Sequence, residues 1–167
     1  MWKVAIKYSV LAGVFESVLF HVSRSFAVHP LIDLSHLFFD IIILAIFITI
    51  ASIEFKRYRN NGYLYFWQGM SIGFLVYTPA IIVFGLFLLV YFDEGLLIEY
   101  RQLALLLIEN QKDLYIDQFG QEQYDLQCEE IRNIGKNSLI QSSIIKKLIA
   151  GFFVTPVISI VLRKKPN

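Results

Sequence analysis

The stretch Phe66–Phe92, FWQGMSIGFLVYTPAIIVFGLFLLVYF, runs for 27 residues without a charge. At about 1.5 Å per residue a helix of that length crosses a hydrocarbon core of about 30 Å with room for tilt. In lipid the backbone must satisfy its own hydrogen bonds, so a run this long is a helix, β-branched residues notwithstanding. Three further apolar runs, at about 4–23, 34–55 and 139–162, read the same way. Composition agrees: 56% of residues are hydrophobic and 17% charged, against about 45–50% and about 25% in soluble domains. The predicted fold class is therefore an all-α membrane protein. One integral membrane domain over residues 1–167 holds four transmembrane helices in a four-helix bundle.

Several function classes fall away early. A net charge of +1 gives no bias toward nucleic acid or an acidic partner. The single cysteine, Cys128, excludes an intrachain disulfide and a cysteine-based metal cluster. The first run, followed by Ser25-Phe26-Ala27, has some look of a cleaved signal peptide. Glu16 and His21 interrupt its apolar part, so it reads as a retained span.

Small residues and prolines mark where spans meet. Gly13 and Ser17, Gly69 and Gly73, and Gly151 with Thr155 form small faces that let a neighbouring helix come close. Pro79 and Pro156, each behind a threonine, predict kinks in the third and fourth spans. Between spans two and three, Asn60-Asn61-Gly62 is a turn signal, and Tyr63, Tyr65 and Trp67 suit a membrane interface.

Residues 93–137 form the one sizeable segment outside the spans. They carry ten acidic and four basic side chains, a net charge of −6. Two helices are expected, about 96–114 and 121–134, broken at Phe119-Gly120. The first places Leu97, Tyr100, Ala104, Leu107 and Leu114 at helical spacing, and the second places Tyr124, Cys128 and Ile131 on one stripe. Together they predict a helical hairpin with its apolar faces paired or laid on the lipid interface.

The basic residues set the expected orientation. Lys3 and Lys7, then Lys56, Arg57 and Arg59, then Arg163, Lys164 and Lys165 fall on one side of a four-span arrangement, and the acidic hairpin falls on the other. Both termini are then cytoplasmic and the hairpin extracytoplasmic. Lys146 and Lys147 are expected to snorkel to the outer interface. The same basic residues serve as topology determinants or as contacts for anionic lipid head groups.

The segment Arg59-Asn60-Asn61-Gly62-Tyr63-Leu64-Tyr65-Phe66, followed by Gly69 and Gly73, resembles a signature of the domain-of-unknown-function 4199 family, small membrane proteins of Bacteroidota. The acidic stretch opening at Phe92-Asp93, the turn Gly120-Gln121-Glu122-Gln123 and the basic close Leu162–Lys165 extend the resemblance over nearly the whole chain. Two features depart from it: Asp93-Glu94, where the family commonly has Asp-Pro, and the intramembrane Glu16. The resemblance implies four spans in a bacterial inner membrane and no particular activity.

Glu16, His21 and Asp40 are the polar residues that lipid makes expensive, which makes them functional candidates. His21 and Asp40 lie at similar shallow depth, which allows a carboxylate–imidazole pair, with Glu16 about two turns deeper. The plainer alternative places His21 and Asp40 at the interface, hydrated or paired with Arg24 or Lys146, and Glu16 bonded to Ser17 or a tyrosine. His21, His29 and His36 have no metal-site spacing, and neither a metal nor a cofactor is expected. No nucleophile, phosphate-loop or zinc motif is present, so the chain does not read as an enzyme. Two functions remain. One is a non-catalytic accessory or interaction subunit, engaging membrane lipids and a protein partner or a second copy through its spans or residues 93–137. The other is a small oligomeric ion- or proton-coupled transporter or channel using Glu16, Asp40 and His21.

Overall fold

The computed structural model describes residues 1–26, 29–32 and 34–165, with the side chains of all but 34 and 35. Ala27 of the cleavage-like triplet and Asp33, where the first connection was expected to end, lie outside the described residues. The described chain is helical throughout: α1 (Trp2–Ser25), α2 (Leu34–Tyr58), α3 (Phe66–Tyr91), α4 (Glu94–Asn110), α5 (Lys112–Phe119), α6 (Gln121–Asn133) and α7 (Lys136–Leu162). Four of these, α1, α2, α3 and α7, are long and apolar enough to cross a membrane. They run a few residues past most of the expected limits, chiefly at the start of α7.

The four long helices pack side by side, with α3 touching each of the other three. Their outer faces stay apolar: Val14, Val18, Phe38, Ile42, Ile82, Leu86, Phe153 and Val157 are all exposed. In water that much apolar surface would aggregate, whereas in a bilayer it meets acyl chains.

Close approach inside the bundle depends on small side chains. On α3, Gly69 faces Ser159 and Gly73 faces Thr155, both on α7; Gly151 of α7 faces Tyr77. Gly13 of α1 lies against Ala80 and Val83 of α3. A Cβ on Gly69 would stand 2.8 Å from Ser159 Oγ, and one on Gly151 2.7 Å from the Tyr77 ring. Thr155 and Ser159 are buried there and donate to the carbonyls of Gly151 and Thr155 in their own helix. They therefore need no partner across the interface. Ser17, by contrast, is half-buried and bonds only the Gly13 carbonyl.

One end of the bundle is stitched by polar contacts among the basic segments. Leu64 and Lys164 exchange two backbone hydrogen bonds of 2.9 Å each, tying the chain's close to the α2–α3 turn. Lys56 Nζ donates to the Leu162 carbonyl at 2.9 Å, placing a cation on the C-terminal end of α7, where the helix dipole favours it. Lys7 and Tyr8 both donate to Glu54, at 3.0 and 2.5 Å. The turn has Asn61 at φ 50° and Gly62 at φ 82°. Gln68 Oε1 accepts from Asn60 Nδ2 and from the Tyr65 backbone N–H, which fixes the start of α3. The Asn-Asn-Gly motif thus has a local reason: two consecutive left-handed residues re-aim the chain from α2 into α3.

At the opposite end, residues 94–133 make three helices rather than two. The expected helix 96–114 ends early, because Gln111 leaves helical geometry at φ −112°, ψ 15°. Asp93 caps α4 by accepting from the Leu96 N–H at 2.9 Å. Gly120 takes φ 86° at the expected break. Helix α6 lies beside both α4 and α5, and Arg101 donates twice to the Ile134 carbonyl, at 3.1 and 2.6 Å. Leu97, Tyr124 and Cys128 are buried, but Leu107 and Leu114 are exposed, so the expected apolar stripe is only partly covered. Its inner part, with Leu96, joins Phe92 and Leu139 in a cluster that ties these helices to the bundle.

The glycine contacts make a direct prediction. Gly151→Leu or Gly69→Leu should lower stability by about 1–3 kcal/mol through overpacking. Gly135→Ala, where an added Cβ meets nothing within 4 Å, should leave it nearly unchanged. Thermal unfolding in mild detergent compares the three.

Candidate functional site

Four ionisable side chains meet inside the bundle. Glu16 of α1 lies about 14 Å from the helix end at Ser25, at 1.5 Å per residue, close to mid-membrane depth. Its side chain has no solvent exposure. It shares the stripe of Ala5, Ser9, Ala12, Gly13 and Phe20, the buried face of α1. On α2, His36 and Asp40 stand one turn apart and face each other, His36 Nδ1 at 3.2 Å from Asp40 Oδ2. From α7 comes Lys147, whose ammonium donates to Glu16 Oε2 at 3.1 Å and to Asp40 Oδ2 at 2.5 Å. Its remaining side turns to the Phe84 ring of α3, 4.1 Å from the centroid.

Lys147 is thus not a snorkelling residue, as the sequence reading had it: it is buried, with 4% of its side chain exposed. The physical reason lies in the helix stripe. Lys147, Gly151, Thr155 and Ser159 recur every four residues and are all buried, so Lys147 is on the packed face of α7. Lys146 is off that stripe and exposed.

The His21–Asp40 pair that their similar depth allows is not formed. His21 is exposed and lies 2.8 Å from the Tyr91 hydroxyl, beside a ring-to-ring contact with the same residue. Asp40 instead takes His36 and Lys147. His36, to which the sequence assigns no role, is a buried helix residue packed edge-on against Phe20. Glu16 bonds neither Ser17 nor a tyrosine.

The polar atoms left over matter most. Glu16 Oε1, Asp40 Oδ1 and His36 Nε2 are buried with no hydrogen-bond partner among the described residues. The nitrogen of His36 that faces the carboxylate is the donor, so a neutral ring leaves Nε2 as an acceptor. All three free atoms are then acceptors. With both carboxylates and Lys147 charged and the imidazole neutral, the cluster would carry one net negative charge; one proton on the ring or on a carboxylate would make it neutral.

A cavity of about 250 Å³ adjoins the cluster. His36, Asp40 and Lys147 line it, with Phe20, Leu37, Phe84 and Ser143 as walls, Lys146 at the edge and Pro30, Leu31 and Ile32 as the roof. The roof is anchored through His29, whose ring packs edge-on against Tyr100 of α4, centroids 5.5 Å apart. Burial pushes the His29 imidazole below its ordinary value of 6.5, with Glu99 opposing and Arg24 reinforcing the shift. Neither ring nitrogen meets full hydrogen-bond geometry with a described residue, although the Leu96 backbone lies close enough to oppose the shift.

Among the described residues, no group of three or more His, Cys, Asp or Glu side chains has a metal-binding arrangement. The basic residues Lys56, Arg57, Arg59, Arg163, Lys164 and Lys165 all belong to the opposite end, remote from the cluster in the chain's helical order. Pro79 and Pro156 lie inside α3 and α7 without interrupting either helix.

Sequence comparison adds one match. A family model described as a protein of unknown function (DUF4199) matches residues 7–164. No curated protein and no solved structure matches the chain.

Two predictions concern this site. Lys147→Met should destabilise the protein by about 3–5 kcal/mol, since it leaves two buried carboxylates without their cation. Adding Glu16→Gln and Asp40→Asn should restore most of that loss, measured by denaturation in detergent. For His29, the neutral form is favoured by folding. Its contribution to docking of the roof is fully present above pH 6.5 and is lost as pH falls through the lower folded value. Protection against hydrogen exchange in residues 29–32 and in α4, taken relative to the intrinsic rate at each pH, should fall in acid, and His29→Phe should remove that step.

Proposed function

The chain belongs to the DUF4199 family of proteins of unknown function, and we propose that it is a small membrane transporter coupled to protons. Its working site is the cluster of Glu16, His36, Asp40 and Lys147. The observation that carries this reading is the sharing of one buried ammonium by two carboxylates in helices that suit a membrane. A net charge in that setting costs several kcal/mol, and one proton taken up by the cluster removes it. Uptake and release of that proton, beside a cavity that admits a solute, are the elements of coupled transport.

The orientation that goes with this reading puts the basic end, with both termini, on the cytoplasmic side of a bacterial inner membrane. The end carrying α4–α6 is then extracytoplasmic, with these helices as a hairpin-like cap over the cavity side of the bundle. The segregation of Lys and Arg supports it. The accessory-subunit reading, which the sequence put first, drew on few polar residues within the spans beside a large helical hairpin, and a buried cluster of four ionisable residues weighs against the first of these premises. No covalent chemistry is required by the proposed role.

The test uses lipid vesicles containing the full-length protein and a trapped pH indicator. The interior is made acidic, with sodium and potassium salts outside. Proton efflux should exceed that of protein-free vesicles, and Glu16→Gln and Asp40→Asn should each reduce it to the protein-free rate. His21→Phe, away from the cluster, should not. Efflux from the native protein equal to that of empty vesicles, or unchanged efflux in both carboxylate variants, would overturn the reading.

A further inference from the structure

The basic end of the bundle carries a concentration of charge that the proton site does not use. We propose that this end holds a specific site for an anionic phospholipid whose head group carries two phosphates, built jointly from the α2–α3 turn and the basic close of the chain. The site stands independently of the transporter reading.

Three observations lead there. First, the fold fastens together two basic groups that lie far apart in the sequence. Lys56 and Arg57 end α2 and Arg59 follows it, while Arg163, Lys164 and Lys165 follow α7. The two backbone hydrogen bonds between Leu64 and Lys164, 2.9 Å each, and the Lys56 bond to the Leu162 carbonyl hold the groups at one place. Leu64 is fully buried, so this tie is anchored in the core. Each group alone has three cations, too few for a dedicated lipid site. Joined, they reach the about four to eight that recognise polyanionic head groups.

Second, the protein does not neutralise these cations. Across residues 1–12, 51–70 and 155–165, which make up this end, Glu54 is the one acidic side chain. It is engaged by Lys7 and Tyr8. Arg57, Arg59, Arg163, Lys164 and Lys165 are exposed and form no ion pair among the described residues. A chain-terminal carboxylate beyond Lys165 would offset only one of them. Orienting a chain in the membrane needs no more than the number of cations in its connections. Fastening two such groups side by side adds mutual repulsion, which a bound polyanion relieves. Arginine forks match phosphate oxygens and lysines add point charge, so one phosphate meets the turn and the other meets the close of the chain.

Third, the depth is right. Trp2, Tyr58 and Trp67 are all exposed at this same end. Exposed aromatic side chains of this kind settle at head-group level, which puts the cations where lipid phosphates lie.

Trp2 and Trp67 are the two tryptophans of the chain, so tryptophan fluorescence reports from this end alone. The full-length protein is placed in phosphatidylcholine nanodiscs with rising fractions of cardiolipin brominated on its acyl chains, which quenches tryptophan on contact. Brominated phosphatidylglycerol at equal total phosphate is the one-phosphate comparison. Quenching by cardiolipin should saturate at about tenfold lower phosphate than quenching by phosphatidylglycerol. Arg57→Gln with Arg59→Gln should remove that preference, and so should Lys164→Gln with Lys165→Gln. Lys112→Gln with Arg132→Gln, exposed on α5 and α6 at the other end, should leave it unchanged. If one pair of variants does not fold, the other pair and the lipid comparison on the native protein still decide. Equal quenching by the two lipids at matched phosphate, or an unchanged preference in either folded pair, overturns the proposal. Displacement of cardiolipin by inorganic pyrophosphate, beyond that caused by sodium chloride of equal ionic strength, assigns the site to a free anion and overturns the lipid as its ligand.

Discussion

The ammonium of Lys147 is the interaction on which the interior of this bundle depends. It reaches α1 through Glu16 and α2 through Asp40, and it rests on the Phe84 ring of α3, so one side chain from α7 touches all three other long helices. In lipid, the apolar effect that holds soluble cores together gives helices little reason to associate, because acyl chains are as apolar as leucine. What remains is packing and internal polar pairing. At an effective dielectric constant near 20, two unit charges about 4 Å apart attract by about 4 kcal/mol. Only a partner that is itself buried recovers the cost of bringing each charge in.

The rest of the packing is arranged so that this contact can form. Toward the basic end, α3 and α7 meet through Gly69 against Ser159 and Gly73 against Thr155, with no side chain large enough to hold the backbones apart. The hydroxyls there bond their own helix and are self-sufficient. Toward the other end the side chains grow. Phe20, Phe84, Phe87 and Tyr91 form an aromatic group, with Phe20 and Phe84 centroids 5.9 Å apart. Small residues at one end and large ones at the other leave room between α2 and α7 where the cavity lies. Space and unpartnered acceptors therefore occur at the same level, beneath the 30–32 roof.

Much of this fold was legible in the sequence, and the reason is physical. Four apolar runs have few alternatives to four helices in lipid, and the Asn60-Asn61-Gly62 turn announces itself by residue type. The break at Gln111 was not legible, because glutamine is a good helix former; in the structure α6 packs beside both helices that flank the break. At the site, Glu16 and Asp40 stood out by cost alone. Lys147 did not, since a lysine in the first third of a span is usually read as snorkelling. The signal that could have found it was the four-residue recurrence of Lys147, Gly151, Thr155 and Ser159, which puts the lysine on the small, packed face and Lys146 off it. His36 had a comparable signal, one turn before Asp40 on the same face. His21 drew attention only by depth, and depth without facing is not a contact.

The stoichiometry of the cluster argues against a purely structural role. A lock between helices needs one carboxylate for its ammonium, and Glu16 with Lys147 would join α1 to α7 with no charge left over. Asp40 adds a second carboxylate and His36 a titratable ring, each at the cost of further desolvation and of a polar atom without a partner. Replacing both by apolar residues of similar size would stabilise the bundle or leave it unaffected. Such surplus polarity persists in a membrane protein where it handles charge. On the proposed reading Lys147 has a double character: it holds the helices together through one carboxylate while the other exchanges a proton. A site built this way can gain or lose one positive charge without ever losing its central cation, and so without loosening the bundle that surrounds it.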